Sequence, residues 1–172
     1  MAEDLTRTVA RDQWRAQVEA ALAEGFTFVD WLTAVDRTYE DEPALEIVTR
    51  LLRIEPGDVQ GVRLTTRVPV GESIESLTPV RPGFAFHERE TCEMFGQDFE
   101  GFTDDTGLGL RPLLLPDGFE GTPLRKDFQL AARASKTWPG GKEPGEGHDS
   151  MKSPSRRRVQ APGVPPPEWG PR

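Results

Sequence analysis

Residues 86–96 read FHERETCEMFG, which brings an imidazole, three carboxylates, a guanidinium and the chain's single thiol into one short stretch. These groups could supply an acid and a base (Glu88 with His87) or a nucleophile (Cys92). The sequence adds no third group to orient a base and no preformed anion hole. A lone cysteine in an apolar setting acts as a small hydrophobe. One cysteine also excludes a disulfide within the chain and any cysteine-ligated zinc or iron–sulfur site built from this chain alone. The two histidines, His87 and His148, lie far apart and show no metal-ligand spacing. If the chain serves redox chemistry, the expectation is that it does so without a cofactor of its own.

The stretch reads as a helix over 84–95, with Gly96 as the residue that ends it. Phe84, Glu88, Thr91, Cys92 and Phe95 then share one stripe. Glu88 sits on that otherwise apolar face, where a carboxylate is costly unless it is paired. The expectation is an internal arginine, with Arg111 and Arg125 as candidates, that lets Glu88 clamp the helix to its neighbours. On the same phase Arg89, Glu90 and Glu93 point to solvent, placed for short-range ion pairs or for a partner's surface.

The elements around this helix follow from periodicity. Residues 8–23 fit a helix, with Ala10, Trp14, Val18, Ala21 and Leu22 at helical spacing and Gly25 as a stop. Three strands follow, over 26–35, 44–54 and 62–70, joined by turns at 40–43 and 55–58. Short turns between consecutive strands favour antiparallel pairing. In the third strand Val62, Leu64, Thr66, Val68 and Val70 take one face and Arg63, Thr65 and Arg67 the other, and Pro69 confines its end to an edge or a terminus. The fold class expected is α+β, a two-layer sandwich of a mainly antiparallel sheet covered by helices, followed by an extended C-terminal arm.

At 172 residues the chain suits one domain and a tail. A compact domain is expected over 1–109, an extended partner-docking arm over 110–140, and a Pro/Gly-rich basic tail over 141–172 that is disordered when free. Net charge is −8, against general nucleic-acid binding. From Gly121 onward ten basic residues face five acidic ones, a surplus of +5 that leaves −13 on residues 1–120. An acidic body and a basic tail are suited to different surfaces. Within the tail, Ser153-Pro154-Ser155-Arg156-Arg157-Arg158 is a weak signal for nucleic acid or anionic lipid beside the reading of a solvated tail. No apolar run is long enough to span a membrane, and the N-terminal residues show no signal pattern, so a cytoplasmic location is expected.

Residues 110–130, LRPLLLPDGFEGTPLRKDFQL, are too rich in Pro and Gly for a long helix. Two readings stand: a loop wrapping its own domain, or an arm docking on another subunit. In the second, Leu113, Leu114, Leu115, Leu124 and Phe128 are anchors, and Arg125 and Lys126 pair with acids or carbonyls. Leucines outside any element would leave an exposed patch on a monomer.

Together these stretches resemble the C subunit of bacterial proton-translocating NADH-quinone oxidoreductase, respiratory complex I. The resemblance runs over roughly residues 24–130. It rests on Glu88-Arg89-Glu90, Glu93, Phe95-Gly96 and Phe99-x-Gly101, then Arg111 and Gly121-Thr122-Pro123-Leu124-Arg125-Lys126-Asp127-Phe128, with FVDWLTAVD (28–36) as a further match. The resemblance implies an α+β domain with a C-terminal arm. It implies structural roles for Glu88, Arg89, Glu90, Glu93, Phe95, Gly96, Gly101 and Arg111, and a docking role for Pro123, Leu124, Arg125, Lys126, Asp127 and Phe128. It further implies a non-catalytic scaffold subunit of the peripheral arm, on the cytoplasmic face of the membrane. Its partners there are the D-type subunit, hydrogenase-large-subunit-like and close to the quinone site, and the B-type subunit. Flavin and iron–sulfur clusters belong to partner subunits, and this chain carries none. The sequence departs from the family pattern in 101–112, where the His-Pro-Asp-Leu-Arg-Arg run is replaced by GFTDDTGLGLRP, and at Glu93, where the family has Asp. A homologous subunit of a membrane-bound nickel–iron hydrogenase or of a shortened oxidoreductase is the alternative. A stand-alone acid/base enzyme using Glu88 and His87 is the remote one, and it requires a closed pocket around Glu88.

Overall fold

The computed structural model describes residues 4–116 and 118–128. Its compact body ends at Lys126, and a second unit begins at Asp127. The expected disordered tail, including the three-arginine run, lies outside the described residues.

The chain begins with a short strand, β1 (Leu5–Thr8), then a 3-10 turn (Arg11–Gln13) and helix α1 (Trp14–Ala23). Three long strands follow: β2 (Phe28–Asp36), β3 (Ala44–Glu55) and β4 (Asp58–Pro69). Then come β5 (Ile74–Glu75), helix α2 (Phe84–Phe95) and β6 (Phe99–Glu100). The main sheet has the order β1-β4-β3-β2. β2, β3 and β4 form the expected antiparallel meander, and the two short strands β5 and β6 pair in parallel as a separate ribbon.

One expectation is corrected at the N-terminus. The helix expected over 8–23 does not begin at Thr8, because residues 5–8 form a strand. They add a fourth strand, parallel to β4, with Leu5 opposite Val62 and Thr8 opposite Thr65. The helix proper starts only at Trp14. LTRT alternates and contains β-branched residues, so it suits the free edge of β4 better than an exposed first helical turn.

The β3–β4 hairpin is built residue by residue. Glu55 pairs with Asp58 across Pro56-Gly57, and the ladder continues to Ala44 opposite Pro69. Gly57 has φ of 82°, which a tight two-residue connection demands. Pro69 is the last residue of β4, where its missing N–H costs nothing, and Val70 beyond it is exposed.

Alternation places Leu45, Ile47 and Leu51 of β3 and Val62, Leu64 and Val68 of β4 on one face. They pack in one core with Trp14, Val18 and Ala21 of α1 and Phe84 and Phe95 of α2. Both helices therefore cover the same face. Elsewhere on the sheet, a charged network surrounds Arg50. Its Nε and one terminal nitrogen donate to Asp4 at 2.7 and 2.8 Å, and its other terminal nitrogen donates to Asp30 at 2.7 Å. This is the α+β two-layer arrangement. Among the described residues, none beyond Glu100 lies in a helix or strand.

Candidate functional site

Helix α2 carries the residues singled out above, and its bounds are those read from the sequence. Gly96 follows it in the left-handed region at φ 74°, its N–H donating to Cys92 O. A side chain there would be strained, and a Cβ would lie 3.1 Å from the Thr122 methyl.

Phe84, Glu88, Thr91 and Phe95 are buried, as the stripe predicts, with Cys92 half-buried. The expected arginine for Glu88 is not what the structure provides. Leu77 N–H donates to one carboxylate oxygen at 2.6 Å and the Ser76 hydroxyl to the other at 2.6 Å. Burial pushes the carboxyl up to about 7 against the pull of these two donors. Arg111 instead pairs with Asp104 at 2.5 Å, and Arg125 donates to Phe95 O at 3.4 Å. The short irregular segment between β5 and α2 brings backbone and hydroxyl donors to Glu88, and among the described residues no arginine pairs with it.

The expectation for the helix's outer face holds only for Glu90, which is exposed. Arg89 is buried: its guanidinium donates to the carbonyls of Arg111 (3.2 Å) and Pro112 (2.7 Å) and lies over the Phe86 ring. Glu93 accepts the N–H groups of Leu113, Leu114 and Leu115 at 3.0, 2.8 and 2.9 Å. Burial would raise its carboxyl, but these three donors and the nearby Arg89 charge outweigh that and hold it below the usual range. Helical phase directs both side chains outward, and the 110–116 segment then covers them.

Further bonds continue the wrap. Leu124 N–H donates to Met94 O at 3.0 Å. Lys126 N–H donates to Asp36 at 2.7 Å, and Thr38 N–H to the other oxygen at 2.8 Å. Asp36 ends β2 and closes the FVDWLTAVD motif. The sequence alone assigns it no role, although a buried acid at a strand end is a signal for backbone capping. The Lys126 ammonium lies 3.9 Å from the centre of the Tyr39 ring. Residues 110–116 and 118–126 thus form a strap, its backbone held by Arg89, Glu93 and Asp36, while Leu114 and Leu124 project outward, each more than half exposed. Pro123 is half-buried. Gly101, at φ 76°, makes the turn after β6. Asp127 and Phe128 belong to the second unit.

The geometry gives little support to nucleophilic chemistry at this helix. Burial first, then the charges of Asp98 and Glu93, push the Cys92 thiol up, the opposite of thiolate activation. An open cleft lies beside α2, bordered by Phe86, Arg89, Thr103, Asp104, Thr106 and Arg111, and its lining does not include Glu88. Among the described residues no group of His, Cys, Asp and Glu is placed to hold a metal ion, and no helix is long and apolar enough to cross a membrane.

The sequence profile described as "Respiratory-chain NADH dehydrogenase, 30 Kd subunit" matches residues 7–134. The C subunit of NADH-quinone oxidoreductase from Roseiflexus sp. (strain RS-1) is 38% identical over 110 residues, 62% of this chain and 58% of that protein. The C subunit from Moorella thermoacetica is 38% identical over 109 residues, 62% of this chain and 66% of its own length. The match thus spans less than two thirds of these relatives. Among solved structures, a chain of the membrane-bound sulfane sulfur reductase, an archaeal respiratory membrane complex, superposes with a TM-score of 0.63 at 25% identity, covering 76% of this chain and 74% of that one. A trypsin-resistant fragment of Nqo5 shares the fold at TM-score 0.51 and 23% identity, covering 58% of this chain and 80% of the fragment. The chain belongs to the family of the 30 kDa subunit of respiratory-chain NADH dehydrogenase, the C subunit of complex I.

Proposed function

We propose that this chain is a non-catalytic scaffold subunit in the peripheral arm of a proton-pumping NADH:quinone oxidoreductase. It packs against the D-type subunit near the quinone site and neighbours the B-type subunit, on the cytoplasmic face of the membrane. Flavin and iron–sulfur clusters reside in its partners. The observation that carries this reading is the strap. The N–H groups of Leu113, Leu114, Leu115, Leu124 and Lys126 and the carbonyls of Arg111 and Pro112 are bound by its own domain, while Leu114 and Leu124 are left facing outward. A fixed backbone with exposed apolar side chains is a preorganised docking surface, since the entropy of ordering is lost at folding and not at assembly. Pro123, Leu124, Arg125 and Lys126 supply the rest of that surface, and Asp127 and Phe128 are further docking residues carried by the second unit.

The likeness to a chain of the membrane-bound sulfane sulfur reductase supports a second reading. The same scaffold then serves a related membrane-bound complex, a nickel–iron hydrogenase or a shortened oxidoreductase. A tagged pull-down from the native membrane fraction, with the co-purifying subunits identified by mass, separates the two. Flavin- and NADH-binding subunits together with a D-type partner establish the first. A D-type partner with nickel, or without an NADH module, establishes the second. Absence of any stable partner overturns both.

A further inference from the structure

Glu88 is fully buried, yet among the described residues it has two hydrogen-bond donors and no cation paired with it. Its Ser76 partner opens a chain of hydroxyls. Ser76 Oγ lies 2.6 Å from the carboxylate and 2.8 Å from Thr78 Oγ1, which lies 3.5 Å from Thr103 Oγ1. Thr103 borders the open cleft beside α2. Two backbone donors hold the intermediate oxygens in place: Thr78 N–H to Ser76 Oγ at 3.1 Å, and Thr103 N–H to Thr78 Oγ1 at 2.9 Å.

The chain is satisfied in either direction. With Glu88 ionised, Ser76 donates to the carboxylate, Thr78 to Ser76, and Thr103 to Thr78. With Glu88 protonated, the carboxyl donates to Ser76, Ser76 to Thr78, and Thr78 to Thr103, whose own proton turns to the cleft. Each hydroxyl oxygen gives one proton and accepts at most two in both arrangements. A proton entering at Thr103 displaces one proton along each link and leaves one on Glu88, so the count balances.

We propose that Glu88 is a proton-binding site that exchanges with the cleft through the hydroxyls of Ser76, Thr78 and Thr103. The titratable groups on the elements around it are Glu75 on β5, Glu100 on β6, Asp104 and Asp105 in the following loop, and His87, Arg89, Glu90 and Cys92 on α2. None of them contributes to its shift, which comes from burial, opposed by Ser76 and Leu77.

The test follows the infrared absorbance of the protonated carboxyl in the full chain after a pH jump, with the Glu88→Gln spectrum subtracted. A carboxyl-13C glutamate label identifies the same band if that variant does not fold. The wild-type band titrates near neutrality. Thr103→Val removes the outer hydroxyl and keeps the N–H. The midpoint then holds while proton uptake slows roughly a hundredfold or more, the low end for losing a positioned proton-transfer group. Ser76→Ala slows uptake as well and moves the midpoint further up, because the carboxylate loses a donor. An ordinary carboxylate midpoint, or an uptake rate unchanged in both variants, overturns the proposal.

Discussion

The β3–β4 hairpin and the strap over 110–126 both present exposed apolar residues, yet they are held by opposite devices. The hairpin pairs backbone with backbone in an unbroken ladder from Ala44–Pro69 to Glu55–Asp58. The strap has no ladder. Much of its backbone is held by the side chains of Arg89, Glu93 and Asp36, reaching from α2 and β2. A ladder repeats every residue and survives the loss of one side chain. A strap fixed at a few points loses a whole segment when one of them is removed.

Substitutions sharpen this contrast. The largest effect belongs to the shared core. Leu51→Ala deletes a fully buried β3 side chain and should cost about 4 kcal/mol of global stability. Hairpin and strap amides should then exchange hydrogen faster together, as native-state exchange with denaturant will show.

Next comes pH. Glu88 is raised from 4.5 to about 7. Below the lower value it is neutral in both folded and unfolded chains, and its contribution is fully present. Between the two values the unfolded chain ionises while the folded chain keeps its proton. Stability should therefore fall as pH rises through this window, by about 3 kcal/mol in all. Glu93 works in the other direction, since its carboxyl is lowered; its contribution is lost as pH falls through its folded value. Urea unfolding at about pH 5 and about pH 8 reads the Glu88 slope, which Glu88→Gln should abolish.

Glu93→Ala should cost about 2 kcal/mol, discounted because the carboxylate is half-buried. Its signature is local: the amides of Leu113, Leu114 and Leu115 should lose protection while the hairpin ladder keeps its own. Equal loss in both regions would contradict the pinned-strap account. The smallest effect is Asp36→Asn, which keeps one acceptor oxygen and weakens the other contact. A loss of about 1 kcal/mol in thermal unfolding is expected, with faster exchange at Lys126.

What was legible in the sequence divides along the same line. Alternation in VRLTTRVPV and the stripe from Phe84 to Phe95 are local patterns, so the strands and α2, down to Gly96, could be read directly. The burial of Glu88 followed from helical phase. Its partners did not, because Ser76 and Leu77 sit in an irregular segment whose path only the folded chain sets. The covering of Arg89 and Glu93 is illegible for a related reason. Phase tells which way a side chain points, and it carries no information on whether a distant segment will cover it. β1 is not legible in the sequence because four residues of strand are fixed by the free edge of β4 and not by their own periodicity.

The claim that the strap is the docking surface is tested most directly by site-specific cross-linking in native membranes. Leu124 on the strap and Val59 on the hairpin are matched controls, apolar and about equally exposed at 54% and 52%. Each is replaced by cysteine, in a chain whose own Cys92 is the same in both, and labelled with a short photo-cross-linker. The account predicts that Leu124→Cys yields an adduct with the mass of a D-type subunit and that Val59→Cys does not. An adduct from Val59→Cys alone, or from neither position, would contradict it.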